Sequence, residues 1–391
     1  MGRNDKEDAK MPRVALVHDW LTGMRGGERV LEVFCRLFPQ ADILTLLHVP
    51  AACSAVIENH TIRTSFLNRL PGIRRHYRHF LPLMPRAVEG LDTSPYDLLL
   101  STSHCVAKGI RRASNQLHVC YCFTPMRYIW STQEDYHRKL GLSGLALKAL
   151  APRLRKWDRR TAGGVDLFIA DSTCVGGRIR DAYGRDSVVL FPPANVEFFT
   201  PGDGPREDFY LVVSALTPYK KVDHAVEACR LAGRPLVVIG SGPEAARLRS
   251  SALGLRSSVR FLGWQSDEVV RDHYRRCRAV LFPQFEDAGI VPLEAFACGA
   301  PVIAFGEGGA LDTVRDAADG SVADPTGLLY RPQTPQALAA AIEQFESSQV
   351  QSRLDAGRLR DWAEQFSTNR FVEKFKGIVG PLLGERGFAG L

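Results

Sequence analysis

Residues 282–305 read FPQFEDAGIVPLEAFACGAPVIAF and hold two glutamates, Glu286 and Glu294, on either side of a Gly-Ile-Val-Pro turn. An apolar strand ends near Pro283, a loop carries Glu286 and Asp287, and Gly289 to Pro292 open a short helix that stops at Gly299. Pro292 suits the first helical turn, where its missing N–H costs nothing. The N–H groups of Gly289, Ile290 and Val291 then make a site for a phosphate, reinforced by the helix dipole. Glu294, about one turn inside, suits hydrogen bonds from a ribose diol, and Glu286 suits a place beside a sugar carried on that phosphate. Taken singly, Glu294 reads as a helix cap and Glu286 as a surface acid. The ordered run of strand, loop, glycine, proline and helix points to a ligand instead.

Lys220 and Lys221 lie in SALTPYKKVD, residues 214–223, just after another apolar strand. A lysine at such a turn can neutralise a diphosphate and stabilise it as a leaving group. Elsewhere a Lys-Lys pair is a solvated turn. Gly240 and Gly242 in VVIGSGPE, residues 237–244, form a strand-to-helix turn, a weak signal by itself. Near the start, His18-Asp19-Trp20 ends a strand, and Gly26 and Gly27 begin a helix where a phosphate can approach the backbone closely. The plain alternative there is a flexible turn. STSH (residues 101–104) and CFTPMRY (residues 122–128) end two further strands and bring in His104 and Arg127. Arg127 suits an acceptor phosphate or an internal salt bridge.

Strands are expected near 13–18, 43–47, 98–101, 118–122, 167–171 and 188–191, and again near 209–213, 236–239, 259–262, 279–282 and 302–305. Helical stretches include 28–38, 222–231, 244–252, 267–277 and 335–345. The β-α alternation predicts an α/β protein with parallel sheets covered on both faces. Pro192-Pro193 and the run PGDGP at 201–205 punctuate the middle. The expected plan is two Rossmann-like domains facing across a cleft. The boundaries are a tail at 1–10, a first domain at 11–200, a second at 201–370, and a closing helix and tail at 371–391 that return to the first.

The chain has 391 residues, a formal net charge of +7 and nine cysteines. An odd number of scattered thiols without C-x-x-C favours reduced cysteines over disulfides or zinc. Cys120 and Cys122 are expected on opposite faces of their strand. No apolar run is long enough to span a membrane, and the charged start lacks the apolar core of a signal peptide. Residues 63–86 and 148–160 mix basic with apolar side chains, as helices on anionic membrane surfaces do and as ordinary solvated helix faces also do. No nucleic-acid module is visible, so nucleic acid is not expected as a partner.

The Glu286-x7-Glu294 spacing, followed by AFACGAPVIA and Gly308-Gly309, resembles the E-x7-E region of family-4 retaining glycosyltransferases with a GT-B fold. The resemblance implies that Glu294 holds the nucleotide ribose, that Glu286 lies by the donor sugar, and that the amides of Gly289, Ile290 and Val291 bind donor phosphate or sugar hydroxyls. It also implies that Lys220, with Lys221 as second choice, neutralises the donor diphosphate. The family's paired arginine is replaced by Ala215. The turn at Gly240 and Gly242 would lie beneath the nucleotide, the segment around Gly263 and Trp264 would read the base, and Gly26 and Gly27 would cover the diphosphate. CFTPMRY resembles mannosyltransferases of bacterial surface-polysaccharide assembly, which carry histidine where this chain has Phe123. His104 either substitutes for it or is a packed histidine.

The implied activity is retaining transfer of a hexose, mannose from GDP-mannose, to a saccharide acceptor that is lipid-linked. It would run without a metal or other cofactor; no D-x-D motif stands outside the charged tail. The implied location is cytoplasmic, peripheral on the inner membrane face. The alternative is a catalytically degenerate protein that binds nucleotide sugar or scaffolds a partner, motivated by Ala215 and Phe123.

Overall fold

The computed structural model describes residues 10–130, 142–252 and 258–389. The charged start, read as a solvated tail, lies outside the described residues up to position 9. Contacts divide the chain into two compact units, Met1–Phe191 with Val372–Leu391, and Pro192–Phe371.

The first unit is built on a parallel sheet of seven strands: β1 (Val14–His18), β2 (Asp42–Thr45), β3 (Ile62–Thr64), β4 (Leu98–Ser103), β5 (Leu117–Cys122), β6 (Leu167–Ala170) and β7 (Val188–Val189). Their order is β3-β2-β1-β4-β5-β6-β7. Strands β1, β4 and β5 are buried at every position, the signature of strands covered on both faces. Helix α1 (Gly26–Leu37) follows β1, α2 (Leu142–Ala162) precedes β6, and α3 (Thr173–Tyr183) follows it.

The second unit repeats the scheme with β8 (Tyr210–Val213), β9 (Leu236–Ile239), β10 (Val259–Gly263), β11 (Ala279–Phe282), β12 (Val302–Phe305) and β13 (Gly327–Tyr330), in the order β10-β9-β8-β11-β12-β13. Helices α4 (Val222–Leu231), α5 (Ala245–Ser251), α6 (Asp267–Arg276), α7 (Val291–Ala297), α8 (Pro335–Phe345) and α9 (Ala356–Glu364) connect or follow them. The last helix, α10 (Thr368–Gly384), buries Phe375 against Phe34 of α1 and Phe38 just after it, with ring centroids 4.9 and 6.5 Å apart. Each sheet is a Rossmann-like layer whose order reverses between its first and fourth strands, β1/β4 and β8/β11. Ligands of such sheets bind at the carboxyl ends of the strands at that reversal.

Two strands escape the sequence pattern. β3 is three residues long with Arg63 at its centre, and β13 opens on Gly327, a residue that reads as a turn. Gly327 is required in place: a Cβ there would stand 1.8 Å from the Val302 carbonyl oxygen of β12.

Two expectations are corrected. Cys120 and Cys122 share one face of β5, because alternate residues of a strand do, and both pack into the cluster of Phe168, Val175 and Ile179. None of the nine cysteines, all of them among the described residues, is in a disulfide, and seven are buried. Residues 63–86 do not form one amphipathic helix. Gly72 turns left-handed at φ 71°, and the chain breaks into short α and 3-10 turns with Pro82 inside one of them. Residues 148–160 do lie in one helix, α2. Among the described residues no helix is long and apolar enough to cross a membrane.

Candidate functional site

In the second unit the reversal point brings together loops far apart in sequence. Lys220 ends a 3-10 turn, Pro218–Lys220, after β8, and its ammonium pairs with the Glu286 carboxylate on the loop after β11. Both side chains are largely shielded, at 16 and 22% exposure. Lys221 adopts the left-handed conformation at φ 52°, a backbone state that costs a non-glycine residue about 1–2 kcal/mol, and it caps α4. Ala215, where the resemblance implies an arginine, is exposed.

Glycines hold these loops in register. A Cβ on Gly240 would stand 1.8 Å from the Ser214 carbonyl oxygen, and one on Gly242 would stand 2.3 Å from that of Leu216. These two residues let the β8 and β9 loops lie against each other, a structural need independent of any ligand. The Gly240 N–H donates to Gly263 O at 2.7 Å, which ties in the end of β10. Gly263 has φ 74° with open space around its Cβ direction, and the next residue, Trp264, is 74% exposed. Gly308 and Gly309 support the acidic loop from below: a Cβ on either would meet Glu286 O at 2.3 Å or Ala288 O at 2.2 Å, and Gly309 N–H donates to Glu286 O at 2.9 Å.

Gly289 is left-handed at φ 77°, Ile290 caps α7, and Val291 begins it. Among the described residues no backbone carbonyl accepts from the N–H groups of Gly289 and Ile290. Glu294 lies in the first turn of α7, is buried, and accepts from the Tyr274 hydroxyl at 3.2 Å. Tyr274, on α6, is buried, and burial together with the Glu294 charge pushes its phenol well above the ordinary range. Sequence reading passed over Tyr274, since its spacing from Val270 is that of any buried helix face.

In the first unit the carboxyl ends of β1 and β4 carry a cluster of titratable groups. His18 pairs in register with Thr102, and its Nδ1 lies 2.7 Å from the Thr102 hydroxyl oxygen. His18 Nε2 lies 3.9 Å from Glu28 Oε1, and Glu28 accepts the Arg25 N–H at 3.1 Å to close the start of α1. Burial raises the Glu28 carboxyl, but the neighbouring His18 imidazole and the helix-start amide outweigh it and leave the pKa lowered. Asp19 is fully buried and accepts four backbone N–H groups from the chain after β4. His104 Nδ1 lies 3.1 Å from Asp19 Oδ2. The His104 ring stands edge-on to Trp20 at 4.6 Å and 6.5 Å from Phe123. Burial holds its pKa down, opposed by Asp19 and Glu28 and helped by His18 and Arg127.

Gly27 lies against this cluster: a Cβ there would come within 3.3 Å of Phe123 Cε2 and 3.6 Å of His18 Cε1, whereas Gly26 faces open space. Arg127 is exposed at the start of a helical turn, Arg127–Trp130. The sequence reading thus has its first-unit candidates, His104, Arg127 and Gly27, around one place. It missed Asp19 and Glu28, whose acidic side chains next to a histidine and a glycine pair were the available signal.

Comparison of the whole chain with solved structures gives the class. HepE of Anabaena, solved with UDP, superposes with a TM-score of 0.69 at 17% identity over 94% of this chain and 99% of that one. Sucrose-phosphate synthase of Thermosynechococcus elongatus gives 0.71 at 18%, covering 95% and 100%. The fold is GT-B. Residues 196–360, most of the second unit, match the family model described as glycosyl transferases group 1. Among curated relatives, D-inositol 3-phosphate glycosyltransferase of Geodermatophilus obscurus is 31% identical over 238 residues, 53% of this chain and 51% of the relative. The same-named protein of Actinosynnema mirum is 28% identical over 260 residues, 59% and 61% respectively. The chain spans about half the length of the first such relatives it matches.

Proposed function

We propose that this protein transfers a hexose from a nucleoside-diphosphate sugar to a saccharide acceptor, with retention of anomeric configuration and without a metal ion. The observation that carries the reading is the meeting of Lys220, Glu286 and the Gly289–Glu294 turn at the β8/β11 reversal of the unit that matches the group 1 family. In this reading Glu294 holds the ribose diol, and the amides of Gly289, Ile290 and Val291 face the phosphates. Lys220 exchanges its pairing with Glu286 for the diphosphate and stabilises negative charge as the C1–O bond breaks, which is electrostatic stabilisation of the leaving group. Glu286, relieved of the ammonium, lies by the sugar. Lys221, Gly240, Gly242 and Gly263 belong to the donor side as well. Gly26 and Gly27 are assigned to the diphosphate, His104 to the sugar and Arg127 to an acceptor phosphate.

The specific form of the proposal is mannose from GDP-mannose, passed to a lipid-linked acceptor in bacterial surface-polysaccharide synthesis at the inner membrane face. The basic residues exposed on α2, among them Arg153, Lys156 and Arg159, suit an anionic surface. A second reading takes UDP-hexose as donor, favoured by HepE having been solved with UDP-glucose. Calorimetry with GDP, UDP and ADP in EDTA separates them. Selective GDP binding supports mannose, selective UDP binding moves the donor to a UDP-sugar, and absence of nucleotide binding overturns the transferase in favour of a degenerate scaffold. Product anomers read by NMR then test retention.

A further inference from the structure

Asp19 and His104 lie 85 residues apart in sequence and side by side at the ends of neighbouring strands. Asp19 Oδ1 accepts from the N–H groups of Val106 and Ala107 at 2.6 and 2.7 Å, and Oδ2 accepts from those of His104 and Cys105 at 2.8 and 2.9 Å. The fifth neighbour is His104 Nδ1, 3.1 Å from Oδ2. Four of these five nitrogens are fixed donors, and both oxygens act as acceptors. Nδ1 therefore faces a lone pair and must carry a hydrogen. In a neutral imidazole the other nitrogen then carries the lone pair. Asp19 is inaccessible while the His104 side chain is 31% exposed, so the ring is anchored on its inner side and open on another.

The ring cannot easily turn. Trp20 stands edge-on to it at 4.6 Å, and His18 and Phe123 flank it at 6.3 and 6.5 Å. The titratable and charged groups facing it are Asp19 and His18 from β1 and its end, Glu28 from α1 and Arg127 from the turn after β5, and burial favours the neutral form of His104 among them.

We propose that Asp19 is a positioning residue that locks His104 in the Nδ1–H tautomer, so that Nε2 accepts a hydrogen bond from a sugar hydroxyl rather than donating one to a phosphate. The idea rests on the assignment of His104 to the sugar. It adds which chemical group His104 meets: a hydroxyl has a hydrogen to give to Nε2, whereas a phosphate oxygen opposes its lone pair. Once His104 is protonated at low pH, Nε2 becomes a donor and the hydroxyl contact is lost.

The test is a long-range proton–nitrogen NMR spectrum of the whole protein labelled with 15N-histidine, with His104 identified by the signals missing in His104→Asn. The expected result near pH 7.5 is the Nδ1–H pattern. An Nε2–H or imidazolium pattern overturns the proposal, and neither reading needs the enzyme to turn over. Asp19→Asn should shift His104 toward Nε2–H; an unchanged pattern in a folded variant also overturns it. Since Asp19 holds four backbone amides, that variant is paired with His104→Ala and His104→Gln. His104→Ala should weaken binding of the intact nucleotide sugar about tenfold, the size of one hydrogen bond, and leave the nucleoside diphosphate unaffected. His104→Gln, whose amide oxygen can reach the Nε2 position, should restore most of the loss. Equal loss for both ligands, or no loss, refutes the hydroxyl contact. Failure of wild type to bind any nucleotide refutes the transferase reading and this contact together, while the tautomer result still judges Asp19.

Discussion

The Lys220 ammonium and the Glu286 carboxylate pair across 66 residues of sequence, joining the loops after β8 and β11. Each is the other's nearest countercharge, so removing one changes the state of the other. Lys220→Ala should lower turnover of the nucleotide sugar by about 10²–10³-fold, the usual loss when one group that stabilises developing charge is removed. Glu286→Gln should also lower turnover, while nucleoside-diphosphate affinity is kept or rises because Lys220 is released from its partner. Steady-state rates combined with calorimetry check both; normal turnover in either variant removes that residue from the site.

Glu294 and Tyr274 form the second test. Glu294→Ala should weaken nucleotide binding by about 1–3 kcal/mol, the range for a lost hydrogen bond to a charged group. Tyr274→Phe deletes only the hydroxyl that orients the carboxylate, and should cost about 0.5–1.5 kcal/mol. Unchanged affinity in Glu294→Ala would falsify the ribose assignment.

Glycines separate structural need from ligand approach. Gly240→Ala forces a methyl toward the Ser214 carbonyl oxygen at φ 141° and should destabilise the second unit by at least about 1–3 kcal/mol. Gly26→Ala meets nothing within 4 Å and sits at a helix start, so thermal unfolding should hardly move. Loss of nucleotide-sugar turnover in Gly26→Ala with an intact melting curve would point to a ligand close to that backbone.

A buried ion pair whose side chains have no assigned part in the chemistry offers a stability control. Lys108 Nζ lies 2.8 Å from Asp158 Oδ1, donates to Asp158 O at 2.7 Å, and stands 4.6 Å over the Tyr183 ring. Asp158 also accepts from Trp130 Nε1 and the Tyr183 hydroxyl. Lys108→Ala leaves that carboxylate buried without its cation and should cost about 3–5 kcal/mol, read by denaturant unfolding.

His118 gives a pH signature. It is buried on β5, with Nε2 2.9 Å from the Ser101 hydroxyl, and burial lowers its pKa from 6.5 to about 4. Below 6.5 the unfolded chain takes up a proton that the folded chain refuses, so stability is present above that pH and is lost as pH falls toward 4. The loss amounts to roughly 3 kcal/mol. Unfolding free energies measured across that window should fall in wild type and fall less in His118→Gln.

Contiguous features were legible from sequence. The strand, loop and helix of residues 282–305 sit next to one another in the chain, so their local pattern of apolar run, glycine and Pro292 states the geometry directly. The two-fold β-α alternation fixes the parallel-sheet class by the same local logic. Strands β3 and β13 were missed where a central arginine and a leading glycine hide the pattern.

Tertiary structure decided what lies between elements. Lys220 meets Glu286 only because β8 and β11 are neighbours although two strands intervene in sequence, and Asp19 meets His104 only because β1 pairs with β4. Sequence alone named both lysines, both glutamates and the histidine. Which carboxylate takes which cation, and which ring nitrogen holds the proton, follows from strand order and burial, because a hydrogen bond depends on positions that strand neighbours set and chain distance does not.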